Sequence, residues 1–372
     1  MKHLAENIGQ GFSDYFGSKV RVELADPFAN ANGLGNLLFS RIYNFFLYRN
    51  LAINSFLVQL SYITKPDCLT VVKWEVHNSL KNKLKNADLI VSTSPWVLEG
   101  VFHSLSKLGR KTPVMVYVAD FGEGMYRGWF HKKATAYFTV TREASEILAG
   151  LGAPKERIAA LGIPSFCADI KRKRAGAKLG RILIASGLHG SEEIACLAEA
   201  INSRQPDIHI DVLCGRSREL LRQLSQSKNS RIFPYGFVGK QKIMALNRQA
   251  DLIVTKAGSL SIANAIAVSV PMLIIGYPSI MPQEKGNAKF VDSQKIGWIC
   301  KSRAEIAEKI GQLSSNPEML DEKRKSFART AGFTDTRRIC GTILKRAGII
   351  SRFPPRISPQ ARKCPKISSD PR

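Results

Sequence analysis

The sequence lacks the features of integral membrane and secreted proteins. No apolar run approaches the roughly 18–20 residues that a helix needs to span a bilayer. The first residues, Met1 to Asn7, are mostly polar and contain no apolar core of a signal peptide. These absences predict a cytoplasmic protein.

Cysteine is scarce, and its spacing suits neither a disulfide framework nor a zinc site. The seven cysteines stand singly, with no Cys-x-x-Cys pair and no histidine at ligand spacing. We therefore expect reduced, mostly buried thiols. The cysteines are Cys68, Cys167, Cys196, Cys214, Cys300, Cys340 and Cys364.

Acidic residues are also few. Asp and Glu number 30 against 55 Lys and Arg, which gives a formal charge of +25. This excess predicts an anionic partner, although it could instead only keep the protein soluble. No helix-turn-helix, zinc-finger or RNP pattern is present, so no nucleic acid partner is expected. Part of the charge lies in residues 351–372, which are rich in Pro, Ser, Lys and Arg and are predicted to be a disordered basic tail.

Short apolar runs alternate with helical segments along most of the chain. This alternation is typical of parallel βαβ units and predicts an α/β fold with doubly wound sheets. The predicted strands of the second half are Arg181–Ala185, Ile208–Leu213, Arg231–Val238, Asp251–Val254 and Met272–Ile275. Those of the first half are Val20–Leu24, Leu89–Ser92, Val114–Val118 and Ala136–Val140.

The pattern divides the chain into two Rossmann-like domains. The first covers residues 1–165, a basic linker covers 166–180, and the second domain covers 181–344 with terminal helices. The helical stretch Arg303–Leu344 is expected to pack along the second domain and back onto the first. Leu37–Ile63 is dense in apolar residues, and it is either an amphipathic surface that touches lipid or a buried helix pair.

The most informative stretch runs from Asp251 to Asn287. It predicts a buried strand, a turn at Gly258, a helix, a second buried strand and then a polar loop that opens another helix. In open α/β sheets, ligands bind at the carboxyl ends of the strands. Backbone N–H groups at a helix N-terminus suit a phosphate, and a glycine lets it approach closely. Two such turns in tandem indicate an enzyme that uses a nucleotide sugar.

Several ordered motifs give this chain a family resemblance. In the second half they are Cys214-Gly215-Arg216, Gly236-Phe237-Val238, Thr255–Gly258, Val270-Pro271 and Gln283-Glu284-x-x-Asn287. In the first half they are Ala119-Asp120-Phe121, Trp129–Lys132 and Leu161–Pro164. With these motifs, residues from about 5 to about 315 resemble the monogalactosyldiacylglycerol synthase and processive diacylglycerol glucosyltransferase group. That group is related to the peptidoglycan glycosyltransferase that makes lipid II.

The resemblance implies a GT-B fold, in which two Rossmann-like domains face a cleft. It implies an inverting transfer of a hexose from a UDP-sugar to diacylglycerol or a related membrane lipid, without a bound metal or cofactor. The acceptor would bind in residues 1–165 and the UDP-sugar in residues 181–344. Location at the inner face of the membrane, as a peripheral protein on an anionic surface, follows as a further expectation.

The resemblance also implies roles for individual residues. Phe237 would lie beside the uracil, Lys256 would line the second phosphate turn, and Gln283 would hydrogen-bond the sugar or a phosphate. The full set expected to bind the donor is Gly187, Gly190, Gly215, Phe237, Val238, Lys256, Gly258, Ser259, Asn264, Gln283, Glu284 and Asn287.

Three departures from the family pattern bear on activity. The first strand of the first domain and its glycine-rich loop are expected to be absent, since Met1 falls in what reads as the following helix. Asn264 stands where the family usually has a Glu that holds the ribose hydroxyls. The family's histidine after the strand end is also missing. Asp120 is therefore the candidate base and Glu123 an alternative, although either carboxylate could instead only cap a helix.

Two other functions remain open on the sequence alone. A non-catalytic or degraded relative could bind a nucleotide or lipid as a regulatory module, which the three departures favour. A transferase acting on a polyprenyl-diphosphate sugar is the third possibility. The sequence does not distinguish galactose from glucose as the transferred sugar.

Overall fold

The computed structural model describes residues 2–28, 70–165, 178–185, 192–227, 231–277 and 280–351. Residues Leu37–Ile63, most of the predicted linker, Gly187, Gly190 and nearly all of the basic tail lie outside these ranges. No helix among the described residues is long and apolar enough to cross a membrane. The described chain forms two parallel sheets, one after the other in sequence.

The first sheet has the strand order β1-β2-β3-β4, and all of its pairs are parallel. Its strands are β1 (Ile90–Ser92), β2 (Val114–Tyr117), β3 (Ala136–Thr139) and β4 (Ile158–Ala160). Its helices are α1 (Lys2–Phe16), α2 (Thr70–Lys85), α3 (Leu98–Lys107) and α4 (Arg142–Gly150). Every residue of β2 and β3 is buried, as expected of parallel strands covered on both faces.

One predicted strand of the first half is wrong. Residues Val20–Leu24 alternate between apolar and polar side chains, but they have no regular secondary structure. Among the described residues β1 pairs only with β2, so nothing there provides a ladder for this segment. Alternation marks a chain with one covered face, but a strand also needs a neighbour whose backbone groups it can bond.

The second sheet has the order β10-β9-β8-β5-β6-β7 and is also fully parallel. Its strands are β5 (Arg181–Ala185), β6 (His209–Leu213), β7 (Ile232–Tyr235), β8 (Leu252–Thr255), β9 (Met272–Ile275) and β10 (Gly297–Cys300). Its helices are α5 (Glu192–Arg204), α6 (Arg218–Ser225), α7 (Lys240–Gln249), α8 (Ser259–Val268), α9 (Lys285–Ser293), α10 (Arg303–Ser315), α11 (Glu318–Ser326) and α12 (Thr336–Arg346). The prediction of doubly wound sheets is confirmed.

The strand order fixes where a ligand can enter the second domain. The chain builds β5, β6 and β7 outward in one direction and then returns to place β8 on the other side of β5. At such a reversal the connections leave the sheet on opposite faces and open a crevice at the carboxyl ends of the strands. The loop after β8 therefore flanks the natural binding crevice.

The last helices tie the two domains together, as predicted. Helix α10 packs on α5 of the second domain, and α12 packs on α1 of the first. The Thr336 hydroxyl donates to the Ser165 carbonyl at 2.7 Å, and Arg338 donates to the Leu161 carbonyl at 2.9 Å. Because α1 and α12 share one buried apolar cluster, the two domains are held by packing as well as by the chain between them.

Candidate active site between the two sheets

The loop after β8 leaves open space at the N-terminus of α8. Gly258 is the residue before this helix, with φ −75° and ψ 132°, a conformation open to any residue. A Cβ atom at Gly258 would meet only the Ser261 hydroxyl, at an ordinary 3.7 Å. The turn itself therefore does not require glycine, and the free space lies beside the unbonded N–H groups of a first helical turn. Such a place suits a phosphate.

A second part of the site follows β6 and β7. Gly215 has φ +59°, a left-handed conformation that glycine adopts without strain, and it turns the chain after β6. The neighbouring Arg216 guanidinium lies 5.3 Å from the centroid of the Phe237 ring. Phe237 is 60% exposed, which is unusual for a large apolar side chain, and Val238 beside it is half-buried. The exposed ring offers an aromatic surface on which a base can stack.

A third part comes from the turn that precedes α9. Gln283 and Glu284 belong to a single 3₁₀ turn, Pro282–Glu284, that leads directly into the helix. The Gln283 Oε1 atom is buried and has no hydrogen-bond partner among the described residues. Leaving such an oxygen unpaired costs about 1–3 kcal/mol, which a hydroxyl donor from a ligand would relieve.

Glu284 places a carboxyl group close to two charged groups. Burial raises the pKa of Glu284, Lys256 acts in the opposite direction, and Asp120 raises it further. Lys256 is exposed at the end of β8. The loop that follows Asp120 contacts the start of α9, where the Gly286 N–H donates to the Glu123 carbonyl at 3.2 Å, so the two carboxyls belong to neighbouring segments of the two domains.

Asp120 is held in a buried position beyond the end of β2. Its Oδ2 accepts a hydrogen bond of 2.6 Å from the indole N–H of Trp129, which is fully buried. Burial raises the pKa of Asp120 to about 6, while the bonds from Trp129 and from the Tyr126 backbone act to lower it. At neutral pH the carboxyl is thus ionised with a basicity suited to a general base.

Glu123, the alternative base, is placed differently. Its side chain is exposed, and its carbonyl oxygen accepts a hydrogen bond of 3.2 Å from the Gly286 N–H. The described residues contain no group of three or more His, Cys, Asp or Glu side chains that could hold a metal ion. His131, which follows Trp129 in the same motif, stacks on Phe102 with ring centroids 3.8 Å apart and so faces α3.

Three residues expected to bind the donor also contact the first domain. The Ser259 hydroxyl donates to the Ala119 carbonyl at 3.0 Å. The Asn287 Oδ1 atom accepts from the Phe121 N–H at 3.3 Å. On α8, Asn264 accepts a long hydrogen bond of 3.4 Å from Ser165. The structure thus brings these side chains to the contact between the domains, and Gly187 and Gly190 lie outside the described residues.

Backbone contacts between the two domains explain two glycines. Gly124 has φ +81°, and a Cβ atom there would lie 1.9 Å from the Pro282 carbonyl oxygen. A Cβ atom on Gly286 would lie 2.8 Å from the Glu123 nitrogen. No side chain fits at either position, so the loop after β2 and the turn before α9 touch directly. No sequence pattern indicates this contact, because the two loops are about 160 residues apart.

Trp129 and Arg216 are functional candidates that emerge from the structure. Both lie inside motifs that carry the family resemblance, but the sequence alone assigns neither a role. A buried tryptophan needs an acceptor for its indole N–H, so a nearby carboxylate could have been sought from the sequence. The approach of Arg216 to Phe237 depends on the pairing of β6 with β7 and was not visible in the sequence.

The fold and the site define a GT-B-type protein with two α/β domains and a cleft that receives groups from both. Two family models match the chain: monogalactosyldiacylglycerol (MGDG) synthase over residues 2–164, and the glycosyltransferase family 28 C-terminal domain over residues 181–336. Over these two stretches the chain resembles the monogalactosyldiacylglycerol synthase and processive diacylglycerol glucosyltransferase group of glycosyltransferases.

Curated relatives of the same group are similar to most of the chain. Processive diacylglycerol beta-glucosyltransferase of Bacillus pumilus is 24% identical over 312 residues, which cover 78% of this chain and 79% of the relative. The enzyme of the same name from Staphylococcus saprophyticus is 24% identical over 313 residues, 78% of each chain.

Two solved structures share the fold. A putative UDP-N-acetylglucosamine 2-epimerase from Listeria monocytogenes has a TM-score of 0.57 at 15% identity, and the match covers 77% of this chain and 82% of the other. A Staphylococcus aureus MnaA–UDP co-structure has a TM-score of 0.56 at 14% identity, with 78% and 84% covered. At this identity the likeness concerns the fold alone.

Proposed function

We propose that this protein transfers a hexose from a UDP-sugar to diacylglycerol or a related membrane lipid, with inversion at the anomeric carbon. The observation that carries the proposal is the meeting of Asp120, from the first domain, with Lys256 and Glu284 from the loops of the second. This arrangement supplies a base on one side of a cleft and phosphate and sugar contacts on the other. The group's diacylglycerol glucosyltransferases support the choice of acceptor.

The donor would lie across the loops that follow the strands of the second sheet. We place the uracil against the exposed ring of Phe237, with Gly215 and Val238 beside it. The diphosphate would approach the N-terminus of α8 at Gly258, where a Cβ atom would otherwise occupy the space. The sugar would satisfy the buried Gln283 Oε1 atom. In this arrangement Lys256 neutralises charge on the phosphates as the bond to the sugar breaks.

The transfer is a single displacement at the anomeric carbon. The acceptor hydroxyl oxygen forms the new bond to this carbon, while the bond between the carbon and the donor phosphate breaks and UDP leaves. The hydroxyl proton passes to the Asp120 carboxylate. Attack from the face opposite the leaving phosphate inverts the configuration. A carboxyl with its pKa raised to about 6 is a stronger base than an ordinary aspartate and is still ionised at neutral pH.

We further propose that the two domains bind different substrates, as the sequence predicts. Residues 1–165 would present the acceptor, and residues 181–344 would bind the UDP-sugar. The net charge of +25 supports peripheral attachment to the anionic inner face of a membrane. Residues 351–372 would add to that attachment as a basic tail.

A release assay tests the proposal. The full chain is incubated with UDP-glucose or UDP-galactose and diacylglycerol in phosphatidylglycerol vesicles, and free UDP is measured. We expect UDP release that depends on the lipid and that Asp120→Asn abolishes, while calorimetry shows UDP binding unchanged in this variant. Release from neither sugar would contradict the proposal.

One observation favours a non-catalytic relative as the second candidate. Asn264 stands where the resemblance implies a ribose-binding carboxylate, and its Oδ1 atom already accepts a hydrogen bond of 3.4 Å from Ser165. UDP binding without turnover in the same assay would support a regulatory nucleotide-binding module instead of an enzyme.

A further inference from the structure

The short segment Ala119–Phe121, which carries Asp120, is held on both sides by the second domain. Before Asp120, the Ala119 carbonyl accepts a hydrogen bond from Ser259 at 3.0 Å. After Asp120, the Phe121 N–H donates to the Asn287 side chain at 3.3 Å. The backbone on either side of the candidate base is therefore fixed by residues about 140 to 170 positions away in sequence.

Asn287 is the centre of this arrangement. Its side chain is only 2% exposed. Its Nδ2 group donates to the Ala257 carbonyl at 2.7 Å and to the Ser259 hydroxyl at 3.2 Å, while its Oδ1 accepts from Phe121. A carboxamide has two N–H donors, and both are engaged here with protein atoms. Asn287 is thus bonded to the first domain, to the donor loop and to Ser259 at once.

We propose that Asn287 is a positioning residue that aligns Asp120 with the donor loop of α8, rather than a residue that contacts the donor. The inference rests on the proposed function, because it assigns a partner to the base of that reaction. Ala257 directly precedes Gly258, the place of closest approach for the diphosphate. One side chain therefore sets the distance between the base and the leaving group.

From this geometry we expect a change at Asn287 to affect the chemical step more than donor binding. Without the carboxamide, Phe121 loses an acceptor and Ser259 loses one of its partners, so the Ala119–Phe121 segment is free to shift. A shift of about 1 Å in a reacting group can lower a rate on the order of 100-fold. The contacts proposed for the uracil and the sugar, at Phe237 and Gln283, are untouched.

The test compares Asn287→Ala with Asn247→Ala as a matched control. Asn247 is also buried in the second domain, but its Nδ2 donates only within its own helix, to Ile243 at 2.7 Å. We expect Asn287→Ala to lower kcat about 100-fold while KM for the UDP-sugar and Kd for UDP change less than about 3-fold. Asn247→Ala should leave all three constants near those of the wild type. A rise in KM or Kd with kcat preserved would overturn the inference, because it would place Asn287 on the donor.

A second measurement does not depend on turnover. The melting temperatures of Asn287→Ala, Asp120→Asn and the double variant form a cycle. We expect the two effects to be non-additive, because Asn287 fixes the backbone that carries the Asp120 carboxyl. Additive effects would overturn the inference. The wild-type assay reports on the proposed function by itself, so failure of the transfer reaction and failure of the positioning role give different results.

Discussion

The role of a residue in this site depends more on its surroundings than on its residue type. Gly124, Gly258 and Gly286 all lie at the cleft, but their surroundings differ. At Gly124 and Gly286 a side chain would collide with backbone of the opposite domain. At Gly258 it would collide with nothing among the described residues, so the space is available to a ligand.

The first prediction therefore concerns Gly258. In Gly258→Ala the added methyl group fits the described structure, since the backbone is in an ordinary conformation and the nearest atom is 3.7 Å away. We expect the melting temperature to stay within about 2 °C of the wild type, as for a neutral surface change. UDP should bind about 10-fold or more weakly, because the methyl group stands where the diphosphate approaches. Isothermal titration calorimetry measures the affinities for UDP and for the UDP-sugar.

Gly239 is the matched control for that prediction. It also precedes a helix, α7, with an extended conformation and nothing within 4 Å of an added Cβ atom. Gly239→Ala should change neither stability nor UDP affinity. Equal UDP affinity in both variants would show that the diphosphate does not approach Gly258.

The second prediction concerns the pH dependence of the reaction. The Trp129 indole N–H stabilises the ionised form of Asp120 and so lowers the pKa of a carboxyl that burial raises to about 6. Burial raises the pKa of Glu284 as well, while Lys256 lowers it and Asp120 raises it further. Trp129→Phe keeps an aromatic ring but removes the donor. The pKa of Asp120 should rise, and the acid limb of kcat/KM should move from near pH 6 to higher pH.

The direction of this shift in pH distinguishes loss of the indole hydrogen bond from a general loss of packing. A variant that is only less well packed would lose activity at every pH and keep its acid limb in place. Trp96→Phe is a suitable control, because Trp96 stacks on Tyr126 at a centroid distance of 4.9 Å rather than bonding Asp120. An acid limb in Trp129→Phe that stays in place or moves to lower pH would contradict the role given to the indole.

At the scale of helices and strands, long buried runs were predictable and short edges were not. The predicted strands at Arg181–Ala185 and Met272–Ile275 match β5 and β9 residue for residue. The predictions omitted β4 (Ile158–Ala160), a partly exposed strand at the edge of its sheet, and β10 (Gly297–Cys300), which opens with a glycine. Neither strand is buried along its whole length, so no long continuous apolar run identifies it.

The third prediction concerns the cap of α4. The Thr141 side chain accepts the Ala144 N–H at 3.0 Å and also donates to the Phe121 carbonyl, next to the candidate base. Thr141→Ala removes both bonds, and we expect it to lower the free energy of unfolding by about 2 kcal/mol. Ser302 caps α10 with a bond to the Glu305 N–H of 3.1 Å in an exposed setting. Ser302→Ala should lower the free energy of unfolding by only about 1 kcal/mol.

Urea unfolding of the two variants measures the difference. Thr141→Ser serves as a further control, because it keeps the hydroxyl and should restore most of the lost stability. Equal losses in Thr141→Ala and Ser302→Ala would show that the bond to Phe121 contributes nothing.

At the scale of the whole molecule, the sequence predicted two doubly wound sheets but not the contact between the two domains at the cleft. The roles of Ser259 and Asn287 depend on contacts with Ala119 and Phe121, which no local pattern encodes. Those contacts form because α12 returns to pack on α1 and so brings one sheet against the other. Global features such as charge, by contrast, are read from composition without any knowledge of folding.

The last prediction concerns the net positive charge and an exposed surface of the first domain. On α2, the side chain of Trp74 is 57% exposed and that of Val71 is 43% exposed, one turn apart on the same face. Lys81, which is also exposed, lies two turns after Trp74 on the same face of the helix. An exposed tryptophan with a lysine on the same face suits the headgroup region of an anionic bilayer, where each lysine adds about 1 kcal/mol.

We therefore expect the protein to sediment with phosphatidylglycerol vesicles and to be released as the salt concentration rises, because screening weakens the lysine contribution. Trp74→Ala should weaken binding about 10-fold, in line with about 1.5 kcal/mol for a partly buried aromatic side chain. Phe233→Ala is the control, since Phe233 is also an exposed aromatic but lies on the second sheet against His209. If both variants bind as the wild type does, or if binding is unchanged by salt, α2 does not face the membrane and the excess charge serves another purpose.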